Sequence, residues 1–187
     1  MVSYVIIPGI DGSDERHWQS LWEKRWEGSA VRIAPASWSR PELPDWVDAL
    51  QAAYETAARR DSQVVLVAHS LGCWTAAEWL DRVRPAGVTA FLVAPPNLRG
   101  PTFPSREAST FADLTARPLP CRSLLVAGGD DPYCDPTTSA AIARDWQAES
   151  HFFENVGHIN SGSGLGDWPA GLKLLGMLGE QGRTSTR

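Results

Sequence analysis

One five-residue stretch of the chain has the spacing of nucleophilic chemistry: Ala68-His69-Ser70-Leu71-Gly72. It matches the nucleophile elbow, G-x-S-x-G, with alanine in the first place. It sits where an apolar run gives way to a helical pattern, and so sharp a turn demands small side chains two residues either side of the serine. Such a turn aims the hydroxyl away from the sheet. It also sets the Leu71 N–H at a helix N-terminus, where it can donate to a developing oxyanion. The competing reading makes Ser70 a plain helix N-cap.

A serine hydroxyl attacks a carbonyl only when a histidine takes its proton, and that histidine needs a carboxylate to fix its tautomer. Of four histidines, His17 falls inside a helical stripe, His69 within the elbow and His151 at the start of a strand run. That leaves His158, in Asn155-Val-Gly-His-Ile-Asn160, on a loop past the last strand run. The acid should also follow a strand. Gly128-Gly-Asp-Asp-Pro-Tyr133 offers Asp130 and Asp131, and Asp131 is preferred because Pro132 holds the residue before it extended; Asp130 would then brace the turn. The resulting order, Ser70, Asp131, His158, is that of the α/β-hydrolase fold. A second oxyanion donor is expected from the Ile10 N–H in Pro8-Gly-Ile-Asp-Gly12, where glycine permits close backbone approach.

The elements that must position these residues are legible as periodicity. Apolar, β-branched runs appear at Tyr4–Ile7, Val31–Ala34, Val64–Ala68, Val88–Val93, Ser123–Ala127 and His151–Phe153. Helical spacing lies between them: Trp18, Leu21, Trp22 and Trp26; then Asp45–Arg59, Leu71–Val83, Thr137–Trp146 and Trp168 to about Leu178. Alternating strands and helices imply a parallel sheet covered on both faces. The expected fold is therefore α/β, a three-layer α/β/α sandwich with about six parallel strands and a minimal cap. Residues 1–180 form a single domain in this reading, and 181–187 a frayed tail. The alternation fails from 94 to 120, a proline-rich stretch read as a small lid or pocket wall, with Asn97, Phe103 and Phe111 as candidate lining residues.

Composition narrows the function classes. A net charge of -5, with Lys and Arg scattered, argues against nucleic acid as a partner. Three cysteines, Cys73, Cys121 and Cys134, make neither a disulfide framework nor a zinc site and suit a reducing compartment, hence the cytoplasm. No apolar run is long enough for a signal peptide or a membrane span. Gly162-Ser-Gly-Leu-Gly166 lacks the spacing of a dinucleotide fingerprint, and the cluster Asp130, Asp131, Asp135 lacks the further ligands of a calcium loop. No metal or organic cofactor is expected. Most of the nine tryptophans share helix faces with other apolar residues and read as core; Trp168, ten residues past His158, could brace the loop that carries the base.

With these residues in place, the chain resembles the small serine hydrolases of the YdeN-like, retinoblastoma-binding-protein-nine-like family. The resemblance rests on Val5-Ile-Ile-Pro-Gly9, His69-Ser-Leu-Gly72, Gly128-Gly-Asp-Asp-Pro-Tyr133 and Gly157-His-Ile-Asn160, and spans nearly the whole chain. It implies a compact α/β hydrolase with a shortened sheet and little cap, whose nucleophile, acid and base fall on Ser70, Asp131 and His158. It also implies hydrolysis of simple carboxylic esters. The L-x-C-x-E pattern for retinoblastoma binding is absent. The function expected is a carboxylesterase acting on small acyl esters or thioesters through an acyl-enzyme, with a small-molecule substrate and no membrane partner. An amidase or peptidase using the same triad, and an idle fold serving as an interaction module, are the alternatives.

Overall fold

A computed structural model describes residues 1–180; the expected frayed tail lies outside the described residues. Six strands, β1 (Ser3–Ile7), β2 (Ala30–Arg32), β3 (Val64–His69), β4 (Val88–Val93), β5 (Ser123–Gly128) and β6 (Glu149–Phe153), form one sheet in the order β2-β1-β3-β4-β5-β6. Every pairing is parallel. The connecting helices are α1 (Trp18–Arg25), α2 (Leu43–Ala58), α3 (Leu71–Val83), α4 (Pro136–Trp146) and α5 (Pro169–Glu180). This is the three-layer α/β/α architecture expected from the alternating pattern.

The helix boundaries follow local chemistry. Proline occupies the first turn of α2 and of α4, where its missing N–H costs nothing. Asp135 caps α4 by accepting from the Thr138 N–H at 3.0 Å. Asp131 and Asp130 therefore belong to the preceding turn and Asp135 to the helix, which resolves the acidic cluster into separate structural jobs.

Because β3, β4 and β5 are covered on both faces, alternate residues of one strand feed two cores. Leu66, Ala68, Ala90, Leu92 and Leu125 face α2, α3 and α4, where Trp46, Trp74, Trp79 and Trp146 are seated. Val65, Val67, Phe91, Val93 and Val126 face α1 and α5, against Trp18, Trp22 and Trp168. Among the described residues no helix is long and apolar enough to cross a membrane.

The stretch from 94 to 120 contains only one short 3-10 turn, Ser109–Phe111, and its expected lining residues divide. Phe103 lines the pocket above Ser70. Phe111 does not: it is fully buried against Trp46. Asn97 instead turns the chain, its side-chain oxygen accepting from the Arg99 N–H at 3.0 Å. The segment is thus part pocket wall and part cover for the α2 side of the core.

Candidate active site

The strand order reverses direction between β1 and β3, and open α/β sheets hold ligands at the carboxyl ends of strands beside such a switch point. Ser70 follows β3 directly. Its φ of 55° and ψ of -127° lie outside the regions a non-glycine residue ordinarily adopts, a strain of about 1–3 kcal/mol that surrounding structure must hold. The holding contacts are visible. The Ser70 N–H donates to the Val93 carbonyl at 2.9 Å. A Cβ on Gly72 would collide with the carbonyls of Ile7 and Pro8, and one on Gly9 would lie 2.7 Å from the Ser70 Cβ. Only glycine at both places lets the end of β1 cross so close to the elbow.

Ser70 occupies the N-cap position of α3, but its side chain makes no capping hydrogen bond. The hydroxyl instead lies 2.9 Å from His158 Nε2. On its other side the imidazole presents Nδ1 to Asp131 Oδ2 at 2.8 Å. A carboxylate oxygen accepts, so the ring proton belongs on Nδ1, leaving Nε2 to accept the Ser70 O–H. Asp131 and His158 are buried, and the second carboxylate oxygen accepts from the Tyr133 N–H at 2.9 Å.

Asp130 does something different. Its Oδ1 accepts from the N–H groups of Val156 and Gly157, at 3.0 and 2.8 Å, so it ties the β5 turn to the loop carrying His158. The structure thus brings Ser70, Asp131 and His158 into one hydrogen-bonded row and keeps Asp130 outside it. Leu71 and Ile10 both line the pocket beside Ser70. Neither backbone N–H takes an acceptor among the described hydrogen bonds, so both remain available to an incoming oxygen.

His17 differs from its sequence reading. It is not inside the first helix but is its N-cap, with Nδ1 accepting from the Gln19 N–H at 3.1 Å. It is 4% exposed, lines the pocket, and its Nε2 has no hydrogen-bond partner. Burial pushes its pKa down to about 4, only partly opposed by Asp14. His69 likewise does more than fill the elbow. Its Nε2–H donates to the His158 carbonyl at 2.9 Å, and burial holds its pKa well below the usual range. His151 lies exposed on β6.

Sequence reasoning missed the wall formed by Asp14, His17, Asn160 and Ser161. One signal could have found it: residues between the end of a parallel strand and the start of the next helix all sit at the sheet's carboxyl edge, and Asp14 and His17 lie in such a connection. Two tryptophans also support the base loop. Trp18 Nε1 donates to the Ile159 carbonyl at 2.8 Å, and Trp22 Nε1 to the Asp167 carbonyl at 2.7 Å. Trp168 packs edge-on to Trp18 and stacks on Trp22, so it acts behind the residues that touch the loop.

The comparisons with known proteins agree with this architecture. No curated protein matches the chain. Among solved structures it is similar to a YdeN-like hydrolase of Pectobacterium atrosepticum, at 31% identity over 96% of this chain and 91% of that one, with a TM-score of 0.82. The ydeN gene product of B. subtilis shares the fold at 21% identity, 95% and 97% coverage and a TM-score of 0.68. So does BorB, the type II thioesterase from the borrelidin biosynthetic cluster, at 17% identity, 95% and 92% coverage and a TM-score of 0.65. The model of the serine hydrolase family matches residues 4–177, and a chain so matched over nearly its whole length belongs to that family.

Proposed function

We propose that this hydrolase is a carboxylesterase acting on small acyl esters or thioesters through an acyl-enzyme at Ser70. The observation that carries this is the row Ser70 Oγ, His158 Nε2, His158 Nδ1, Asp131 Oδ2, with links of 2.9 and 2.8 Å. Ser70 Oγ attacks the substrate carbonyl as its proton passes to His158 Nε2. The carbonyl oxygen becomes an oxyanion and receives the Leu71 and Ile10 N–H groups. Asp131 stabilises the imidazolium. Collapse of the tetrahedral adduct breaks the bond to the alcohol or thiol, which leaves with the proton from His158. A water then repeats the sequence on the acyl-enzyme: its proton goes to His158, its oxygen to the carbonyl carbon, and Ser70 departs with the returned proton.

The pocket of about 690 Å³ over Ser70 has room for a small acyl group and its leaving group. The three free cysteines favour the cytoplasm as the place of action. The test is labelling with a fluorophosphonate probe alongside hydrolysis of short p-nitrophenyl esters. Ser70→Ala should lose labelling and lower kcat by about 10⁶ with an unchanged circular dichroism spectrum. Equal labelling of wild type and Ser70→Ala would end this reading.

A further inference from the structure

The charge of the pocket bears on which esters it takes, an inference that rests on the hydrolase reading above. Among the described residues, the lining contains Asp11 and Asp14 but no lysine or arginine. Of the three lining histidines, His17 and His69 are held neutral by burial, and His158 is paired with the carboxylate of Asp131. Asp14 is held ionised, because the Ser161 hydroxyl and the Arg16 N–H donate to it and favour the carboxylate. The Arg16 guanidinium also acts on Asp14, from outside the cavity lining, and offsets part of its charge. Phe103, Pro104 and Tyr133 add uncharged surface to the same lining.

The buried histidine on the acidic side adds no charge of its own. His17 is buried, and because its Nδ1 accepts from Gln19, its proton sits on Nε2, which has no partner. With no accessible surface at Nε2, this N–H lies behind the lining and meets no ligand directly, so the selection rests on the carboxylates. An uncharged hydroxyl or amide group can donate to the carboxylates of Asp11 and Asp14. An ionised phosphate or carboxylate has no proton to donate and would face Asp11 and Asp14 as like charges.

We propose that the pocket selects uncharged or cationic esters and thioesters and disfavours anionic ones, coenzyme A and phosphopantetheine thioesters among them, with Asp11 and Asp14 setting the selection. The surrounding field works in the same direction, since the whole chain carries a net charge of -5. Charge at the mouth of a cleft acts largely on encounter, so the selection falls on kcat/KM and weakens as salt rises.

Three thioesters of one acyl group test this: butyryl-coenzyme A, S-butyryl-N-acetylcysteamine and butyrylthiocholine, each followed by thiol release. At low ionic strength the uncharged and cationic substrates should exceed butyryl-coenzyme A in kcat/KM by about tenfold or more. The gap should contract at high salt and in the double variant Asp11→Asn/Asp14→Asn. Asparagine tolerates the positive φ of residue 11 and can keep the acceptor oxygen at 14. Glu27→Gln/Asp48→Asn, which removes the same charge at exposed places away from the pocket, should leave most of the gap intact. Equal or faster turnover of butyryl-coenzyme A, or a gap that the pocket variants leave unchanged, would overturn the proposal. The underlying reading fails separately: that outcome is turnover of these thioesters that survives Ser70→Ala.

Discussion

At the scale of single residues, two adjacent aspartates have been given unlike work by which group each meets. Asp131 meets an imidazole, and Asp130 meets two backbone N–H groups. Asp131→Asn should therefore lower kcat by about 10⁴, because an amide no longer favours the productive tautomer. Asp130→Asn keeps an acceptor oxygen for the loop and should change kcat by less than about threefold. Steady-state kinetics on one ester distinguishes them, and the reverse ranking would reassign the acid. The sequence reached the same preference through Pro132, but the bonds of Asp130 to Val156 and Gly157 were out of its reach, since nothing local shows what a turn touches 26 residues later. His17 carries a pH consequence. Its pKa falls from 6.5 unfolded to about 4 folded, so the unfolded chain takes up a proton that the folded chain refuses. The contribution is fully present above about pH 6.5 and is lost as pH falls towards 4, on the order of 3 kcal/mol in all. Asparagine at 17 can keep the cap without titrating. His17→Asn should flatten the decline of the urea midpoint between pH 6.5 and 4, with His69 and the hydrogen-bonded carboxylates of Asp14 and Asp135 contributing to the slope that remains; an unaltered decline would remove His17 as its source.

At the scale of elements, the central strands were the most legible because burial on both faces leaves continuous apolar runs: β3, β4 and β5 emerge within one residue of their expected bounds. The edge strands were less so. β6 extends to Glu149 and is largely exposed, and β2 is only three residues long and half-buried; neither needs the apolar sequence that would mark its ends. The connection from 94 to 120 has no period because its backbone is fixed by separate tertiary contacts, such as the Asn97 N–H donating to the Tyr133 carbonyl. Direction of side chains in such a segment is a tertiary fact, which is why Phe103 and Phe111 part company. The base loop shows how elements deliver precision to a residue. It is pinned from the sheet by His69, from β5 by Asp130 and from α1 by Trp18, the last through the carbonyl next to His158. Trp18→Phe retains most of the ring packing but leaves the Ile159 carbonyl unpaired. We expect kcat to fall by about threefold to tenfold at nearly constant KM, with the ester series lowered in parallel. A change confined to KM would place the effect in the pocket wall instead.

At the scale of the whole molecule, the two cores are inseparable by construction. Successive residues of one strand alternate between them: Leu66 and Ala68 serve the α2 side while Val65 and Val67 serve the α1 side. Neither helical layer can lose its seat without exposing one face of the strands that the other layer needs, and a sheet stripped on one face would leave large apolar side chains in water. We propose that residues 1–180 behave as one domain, which predicts a single cooperative unfolding transition. The tryptophans make this measurable, because Trp18, Trp22 and Trp168 report on one layer and Trp46, Trp74, Trp79 and Trp146 on the other. Unfolding in urea followed by tryptophan fluorescence and by far-ultraviolet circular dichroism should give coincident midpoints. The sharper check uses a variant on each side. Trp168→Ala and Trp79→Ala should each cost about 3–5 kcal/mol and move both probes together. If Trp168→Ala moved only part of the fluorescence change, leaving circular dichroism at its original midpoint, the α1 and α5 layer would be melting by itself. The base loop would then be lost before the sheet, because Trp18 and Trp22 hold that loop from the same layer.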